Sequence, residues 1–367
     1  MSVEQSIAAG ELLGAFDGAR LVGSARYHSM QQWWRGRSVP MAGVAGVKVA
    51  PEERGRGVGR ALMTSLIEQM ARRRFPVSAL YPATVPLYRS LGWEFAGANY
   101  ETTTPMSALA TLIGPDDAAA SDFDASSAES GLRRAGPADG AAVVETLGRV
   151  YRALGDCGPA THEPDLVGGW LEDAESFAYL SDDGFLNYSW ADGHDSISVD
   201  LLVAASPATA RAFWRILSSH GSMAHTVRAC LAPDDPVSWL TREDEAATRQ
   251  AKGWMFRCMD APAAVAARGF PAAVQASVRI ELSDQIMPSN SGTWDLEITG
   301  GNGQLTPAAG SQTPVLRLGS RGFAALYGGV RLSTLRRAGL ASGGFAAADD
   351  ALDCAFGGRP AYMLHAF

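Results

Sequence analysis

The apolar positions of this chain change period in a recurring order. Residues 11–16 and 19–27 are short alternating runs on either side of Asp17-Gly18, so they predict a β-hairpin. Residues 30–37, carrying Trp33 and Trp34, read as a loop or short crossing segment, and residues 38–49 lead into a strand ending with Val47 and Val49 in alternation. Pro51 ends that strand, because proline has no N–H to donate to a ladder. The period then becomes helical: Val58, Leu62, Leu66 and Met70 recur every four residues with Met63 and Ile67 beside them. Arg72, Arg73 and Arg74 stand at the negative end of that helix's dipole. Residues 75–80 return to strand, 81–94 read as loop, short helix, glycine stop and strand, and 95–113 continue as strand and linker.

Residues 114–131 are rich in Ala, Ser and Asp and poor in large apolar groups, which predicts a linker. A second unit follows over 132–260. It has a helix at 139–154, strands at 177–180, 185–190 and 197–203, a helix at 207–220 and a strand at 227–231. This order echoes the first unit. Either a duplicated domain or a merely similar α/β unit would give it. The third unit, 261–367, starts with a helical stretch near 262–270. Strands at 276–282, 292–298 and 314–318, short helices at 322–327 and 332–338, and a helix at 346–356 follow. The last residues, Arg359 to Phe367, are apolar and strand-like, which predicts a terminus tied down in the fold rather than frayed.

Three units suit a chain of 367 residues, and 47% hydrophobic content is enough for real cores. The net charge of −8 speaks against a nucleic-acid partner and fits small basic substrates. Cys157, Cys230, Cys258 and Cys354 lie far apart, so buried thiols are expected rather than disulfides or a zinc site. The chain starts with no basic-then-apolar leader, and no apolar run is long enough to span a bilayer, so a soluble cytoplasmic protein without a membrane partner is expected.

The candidate chemistry sits where strand meets helix. Between Arg54 and Arg60 the chain reads Arg-Gly-Arg-Gly-Val-Gly-Arg. Glycines let backbone approach a ligand at positive φ, and the unpaired amides of a first helical turn point at an anion. Arg54, Arg56 and Arg60 add charge. A Walker loop requires Lys-Ser or Lys-Thr, absent here, and the dinucleotide fingerprint fails because Leu62 stands at its third glycine. The pattern Arg54-x-x-Gly57-x-Gly59 after an apolar strand resembles the acetyl-CoA loop of the GNAT superfamily of N-acetyltransferases. In the second unit the corresponding turn is Ala204-Ala205-Ser206-Pro207-Ala208-Thr209, without Gly-x-Gly or arginine.

With Tyr88 in Leu87-Tyr88-Arg89-Ser90-Leu91-Gly92-Trp93, a cofactor-free second unit and a terminal Phe367, the whole chain resembles the Eis (enhanced intracellular survival) family of N-acetyltransferases. That resemblance implies an α/β (α+β) fold of tandem GNAT domains, the second degenerate, followed by a sterol-carrier-protein-like domain. It implies acetyl-CoA as co-substrate, no metal, a homo-oligomer (a hexamer), and acetylation of small-molecule amines, aminoglycosides included. It places the pantetheine arm along Val47, Lys48 and Val49, and the pyrophosphate on the amides of Gly55, Arg56, Gly57, Val58, Gly59 and Arg60. It adds further cofactor contacts at Ala83 and Thr84. It makes Tyr88 the general acid and the carboxylate of Phe367 the general base. The rival readings are a protein-lysine acetyltransferase and a non-catalytic lipid- or ligand-binding protein on a GNAT scaffold. His28, His162 and His365 are spare candidate bases, each alone in the sequence, with His365 the best placed.

Two departures stand out. Only about ten residues precede the first hairpin, where the family has a strand and two helices. Either the start is misassigned or the pocket is unusually open, with Trp33 and Trp34 walling what is left or packing in the core. The penultimate residue is Ala366 where an acidic group helps hold polyamines in the family, which makes amine acetylation better supported than aminoglycoside acetylation.

Overall fold

The computed structural model describes residues 3–112, 131–242, 246–310 and 314–367. The expected linker at 114–131 therefore lies outside the described residues, apart from Gly131.

After a short helix, Val3–Ala8, strands β1 (Leu12–Asp17) and β2 (Arg20–Trp34) form the expected hairpin. Residues 30–34 are not a loop: β2 runs through Trp34, turns at Arg35-Gly36 with φ of 50° and 78°, and pairs back with β3 (Arg37–Val49). Two residues at positive φ give the twist that a tight hairpin needs. The helix Val58–Arg72 then crosses to β4 (Val77–Leu80), which lies parallel to β3. The short helix Val85–Ser90 and β5 (Glu94–Pro105) complete the first unit.

The second unit begins with β6 (Arg133–Arg134), the helix Gly140–Leu154, β7 (Cys157–Thr161) and the helix Pro164–Trp170. Next come β8 (Ser176–Ser181), β9 (Gly184–Ala191) and β10 (Ser196–Ala204). The helix Pro207–Ser218 leads to β11 (Thr226–Leu231), and β12 (Ala247–Cys258) ends the unit. Two of its strands leave it. β12 inserts between β4 and β5, β5 pairs onward with β11, and β7 pairs with the far end of β2. The first two units thus share one sheet of order β1-β2-β3-β4-β12-β5-β11-β10-β9-β8-β6. Each lends the other backbone hydrogen bonds, and the end of β2, held by β3 on one edge, is bonded by β7 on the other.

The third unit is a smaller sheet, β15-β14-β13-β16-β17, made of β13 (Ala276–Ser283), β14 (Gly292–Thr299), β15 (Asn302–Pro307), β16 (Leu316–Gly319) and β17 (Ala341–Gly343). Its helices Ala261–Ala267 and Ser320–Tyr327 pack on the shared sheet and Ala346–Phe356 on β13, through one continuous core that includes Trp34, Trp254, Phe256, Tyr327 and Phe356. Burying each such ring is worth roughly 1.5–3 kcal/mol. Arg268 is fully buried among the rings of Trp34, Phe270, Tyr327 and Phe356, and its guanidinium donates to the Tyr327 carbonyl at 2.6 Å. All four cysteines are free, but only Cys157 and Cys258 are buried; Cys230 is half-buried and Cys354 exposed, against the expectation of four buried thiols. The strand-like C-terminus forms no strand, only a single bridge between Tyr362 and Ala98.

Candidate active site

The site grows from a parting of two strands. β3 and β4 pair over four positions, from Met41 with Val77 to Val44 with Leu80. β4 then stops, whereas β3 continues to Val49 bonded to β2 alone. Its other edge, along residues 45–49, is open. The pairing of β2 with β3 also slips there, from Ser24 with Lys48 to Arg26 with Ala45, and Gly46 takes φ of 59°. This is a β-bulge, which turns backbone groups out of the ladder. Val47 and Val49 are half-buried and Lys48 is exposed, so this edge can receive an extended ligand.

Beyond the edge lies the glycine turn. Gly55 and Gly57 have φ of 80° and 85°, and Gly57 caps the helix Val58–Arg72. A Cβ at either glycine would meet nothing within 4 Å. Conformation, not crowding, requires glycine at these positions, and the space above the turn is open. The first-turn amides of Val58, Gly59 and Arg60 face it at the positive end of the dipole. Glu53, 4% exposed, anchors the turn by ion pairs with Arg20 and Arg56, so the Arg56 charge is already matched by an acid. Arg60 donates to the Ser90 hydroxyl at 2.8 Å and ties the turn to the helix that carries Tyr88.

Ala83 and Thr84 are exposed on the opposite wall of the opening, and Thr84, in extended conformation, precedes the helix Val85–Ser90. Tyr88 is 4% exposed, its ring edge-on to Trp93 at 6.4 Å, and burial raises its hydroxyl pKa. Gly92, at φ of 92°, stops the helix with the Arg257 side chain where a Cβ would be. Glu94 then accepts hydrogen bonds from Arg89, from Arg321 of the third unit and from the Phe95 amide; those bonds outweigh burial and hold its carboxyl below the usual range.

The C-terminal arm, residues 359–367, arrives from the other side of the sheet. The Asn99 amide donates to the Met363 carbonyl at 2.7 Å, and the Tyr81 hydroxyl to the His365 carbonyl at 3.1 Å. The Phe367 ring lies edge-on to Tyr81 at 5.6 Å and against Gly43, where a Cβ would come within 2.8 Å of it. Tyr88 packs with Leu62, Leu66 and Val44 on one face of the first unit, and Phe367 packs with the Met30 and Met41 cluster on the other. The two groups therefore flank the strand opening from opposite faces.

A cavity of about 450 Å³ adjoins the end of the arm, lined by Trp170, Asp173, Ser176, Asn187 and Asp200 of the second unit and by His365 and Ala366. His162 and His365 are not alone, against what their sequence positions suggest. His162 Nε2 and His365 Nε2 lie 2.6 Å apart with Trp170 packed on both rings. Burial lowers His365 to about 4 and, with the neighbouring His365, lowers His162 to about 2, so both are neutral at pH 7 and one donates to the other. His28 is lowered to about 4, first by burial and then by Arg26.

Known proteins carry the same architecture. The crystal structure of a GCN5-related N-acetyltransferase from Kribbella flavida is 44% identical, covers 99% of this chain and 88% of its own, and superposes with a TM-score of 0.90. The chain belongs to the GCN5-related N-acetyltransferases. Residues 2–96 and 167–258 of this N-acetyltransferase each match an acetyltransferase (GNAT) domain family, and residues 261–364 match the sterol carrier protein domain family. The N-acetyltransferase Eis of Mycobacterium tuberculosis is 29% identical over 314 residues, 80% of this chain and 73% of that protein. Eis1 of Mycobacterium abscessus, at 24% identity, shares the fold with a TM-score of 0.77 over 98% of this chain and 90% of its own. Within the acetyltransferases, the chain is Eis-like, with the tandem GNAT and sterol-carrier order expected from its sequence.

In this N-acetyltransferase the fold brings the 47–49 edge, the 55–60 turn, Ala83, Thr84 and Tyr88 around one opening, with Phe367 behind it. Sequence reasoning missed Glu53, Tyr81, Asn99 and the paired histidines. Glu53 had a local signal, an acid three residues before Arg56. Tyr81 and Asn99 had none, because their partners lie more than 260 residues away.

Proposed function

We propose that the chain transfers the acetyl group of acetyl-CoA to a primary amine of a small polycation, aminoglycosides among them, by direct attack. The observation that carries this reading is the placement of Tyr88 and Phe367 on opposite faces of an opening whose third side is the unpaired edge of β3. The open glycine turn and its bare amides fit a pyrophosphate, and the 45–49 edge fits a pantetheine arm. The edge of β3 beyond Val44, unpaired with β4, can turn a backbone N–H to a thioester oxygen as negative charge develops on it.

Chemically, the amine nitrogen attacks the thioester carbon as the carbon–sulfur bond breaks. The Phe367 carboxylate accepts the amine proton, directly or through a water. A free α-carboxyl has a pKa of roughly 3.3–3.7, a weak base for an ammonium, and a desolvated position strengthens it. Tyr88 gives its phenolic proton to the departing thiolate; its raised pKa keeps that proton in place at neutral pH. Asp173 and Asp200 beside the arm, with the net charge of −8, support a cationic substrate.

The proposal extends to a cytoplasmic homohexamer; among the described residues no helix is long and apolar enough to cross a membrane, and Phe16 and Leu21 on the first hairpin are exposed. It also extends to units bounded at 1–113, 132–260 and 261–367. A thiol-release assay with acetyl-CoA and a panel of amines, peptides and aminoglycosides tests the reaction, and light scattering tests the assembly. Turnover on peptide lysines with none on small polycations would overturn the substrate class.

A further inference from the structure

The second unit repeats the strand opening of the first. β10 and β11 pair in parallel over four positions, from Ser196 with Thr226 to Val199 with Ala229, then part, and the pairing of β10 with β9 slips between Val199 and Leu201. The opening leads into a cavity of about 410 Å³ that runs from the end of β10 to Ala232 and Asp234 after β11. It is poorly made for a pyrophosphate. Pro207 has no N–H, the Ser206 hydroxyl already accepts the Thr209 amide, Asp234 and Asp235 line the wall, and of its two arginines, Arg211 and Arg359, the second is paired with Asp156 and Asp234. What reaches into it is the chain's own C-terminal arm: Arg359, Tyr362 and Leu364 form part of its lining.

The contacts there are specific. Asp156, whose side chain is 1% exposed, accepts from the Tyr362 hydroxyl at 2.7 Å and from Arg359 at 2.9 Å. Arg359 spans on to Asp234 at 3.0 Å. The Tyr362 amide donates to the Cys157 carbonyl at 3.0 Å, while the Ala98 amide and carbonyl bond the Ala361 carbonyl and the Met363 amide at 3.2 Å. Gly97 and Gly158 make room: a Cβ on them would stand 2.4 Å from the Ala361 carbonyl and 2.6 Å from the Tyr362 carbonyl. Only five residues separate Tyr362 from the terminus, a reach of at most about 18 Å. An anchor at Tyr362 thus bounds where the last carboxylate can lie, and the Asn99 and Tyr81 bonds to Met363 and His365 narrow it further.

We propose that the second unit's vestigial cofactor slot is a socket for the C-terminal arm, in which Asp156, Arg359, Asp234 and Tyr362 act as positioning residues for the Phe367 carboxylate. The proposal rests on the reading of that carboxylate as the base. Catalysis depends steeply on alignment, with displacements near 1 Å costing up to about 100-fold. Arg359→Ala and Tyr362→Phe are therefore expected to lower kcat about tenfold each. The KM for acetyl-CoA should stay within about twofold, because the 55–60 turn is untouched, and melting temperature should fall by only a few degrees in Arg359→Ala, since the buried Asp156 keeps the Tyr362 hydroxyl. Arg359→Lys should recover most of the rate. The full-length chain and one lacking Phe367 are assayed alongside. If the chain without Phe367 keeps full turnover, the base assignment fails and the socket role with it. If that chain is inactive but Arg359→Ala and Tyr362→Phe turn over at the full rate, the socket proposal alone is overturned. A loss shared between kcat and acetyl-CoA KM, or a collapse in melting temperature of both variants, makes these contacts merely structural and overturns it as well.

Discussion

The first two units present the same backbone device twice. In each, two parallel strands pair over four positions and part, a register slip lies beside the parting, and a helix bridges the strands. What differs is the turn. In the first unit Gly55 and Gly57 hold positive φ, nothing crowds them, and the amides ahead of the helix are open. In the second, Ala204-Ala205-Ser206-Pro207 supplies a proline without an N–H and a serine whose hydroxyl satisfies the Thr209 amide. Strand parting makes a slot in either case. The turn chemistry decides whether it offers donors to an anion or is closed to one, and the closed slot is lined by the protein's own C-terminal arm.

The comparison breaks most directly at the arm. Adding one residue after Phe367 moves the carboxylate and is expected to lower kcat about 10²- to 10⁴-fold in the thiol-release assay. A fully active extended chain would refute the base assignment. Next in size, Tyr88→Phe should lower kcat about 100-fold with acetyl-CoA affinity unchanged by calorimetry; unaltered turnover would sink the acid role.

A smaller effect separates the two turns. Gly57→Ala forces an L-residue to φ of 85°, at a cost of about 1–2 kcal/mol, and should weaken acetyl-CoA binding roughly tenfold. Ala205→Gly in the second unit should create no second cofactor site. Calorimetric titration giving two sites per chain would show that the turns are not distinguished as described.

The smallest effect concerns Asp235 in the second slot, whose carboxyl burial raises to about 7. Between an unfolded value of about 3.9 and that folded value, the folded state holds a proton that the unfolded state has released. This contribution to stability is therefore present at low pH, declines as pH rises through that window, and is fully lost above about 7. Asp235→Asn cannot ionise, so its melting temperature relative to the unaltered protein should rise between pH 4.5 and pH 7.5 by at least about 2 °C. A constant difference would show that Asp235 ionises freely.

Much of the first unit was legible locally. The helix Val58–Arg72 declares itself through one apolar face, and the turn before it through glycines between arginines, because both depend on neighbours within a few residues. Tyr88 was legible as a tyrosine before a glycine stop, and its role as a matter of resemblance. The end of β2 was legible only in part: its hairpin partner β3 is adjacent, but the strand β7 on its other edge is some 125 residues away, and β12 hides because its exposed half, Ala247 to Lys252, lacks the apolar signal of a central strand. The pairing of His162 with His365 was likewise invisible; side chains 203 residues apart meet only when two units close on the same arm.

The sequence by itself determined the local devices: which turn can bind an anion, which helix faces the core, and that an apolar terminus would be tied down. Tertiary structure decided what those devices are for. Strand exchange between the units leaves the gap at Gly97 and Gly158 through which the arm passes, and sheet geometry sets Phe367 behind the edge that Tyr88 faces. The reason is one of range. Backbone propensity and turn chemistry act over a few residues, whereas the position of a terminus is fixed by hydrogen bonds to whichever distant strands reach it, here Ala98 and Cys157.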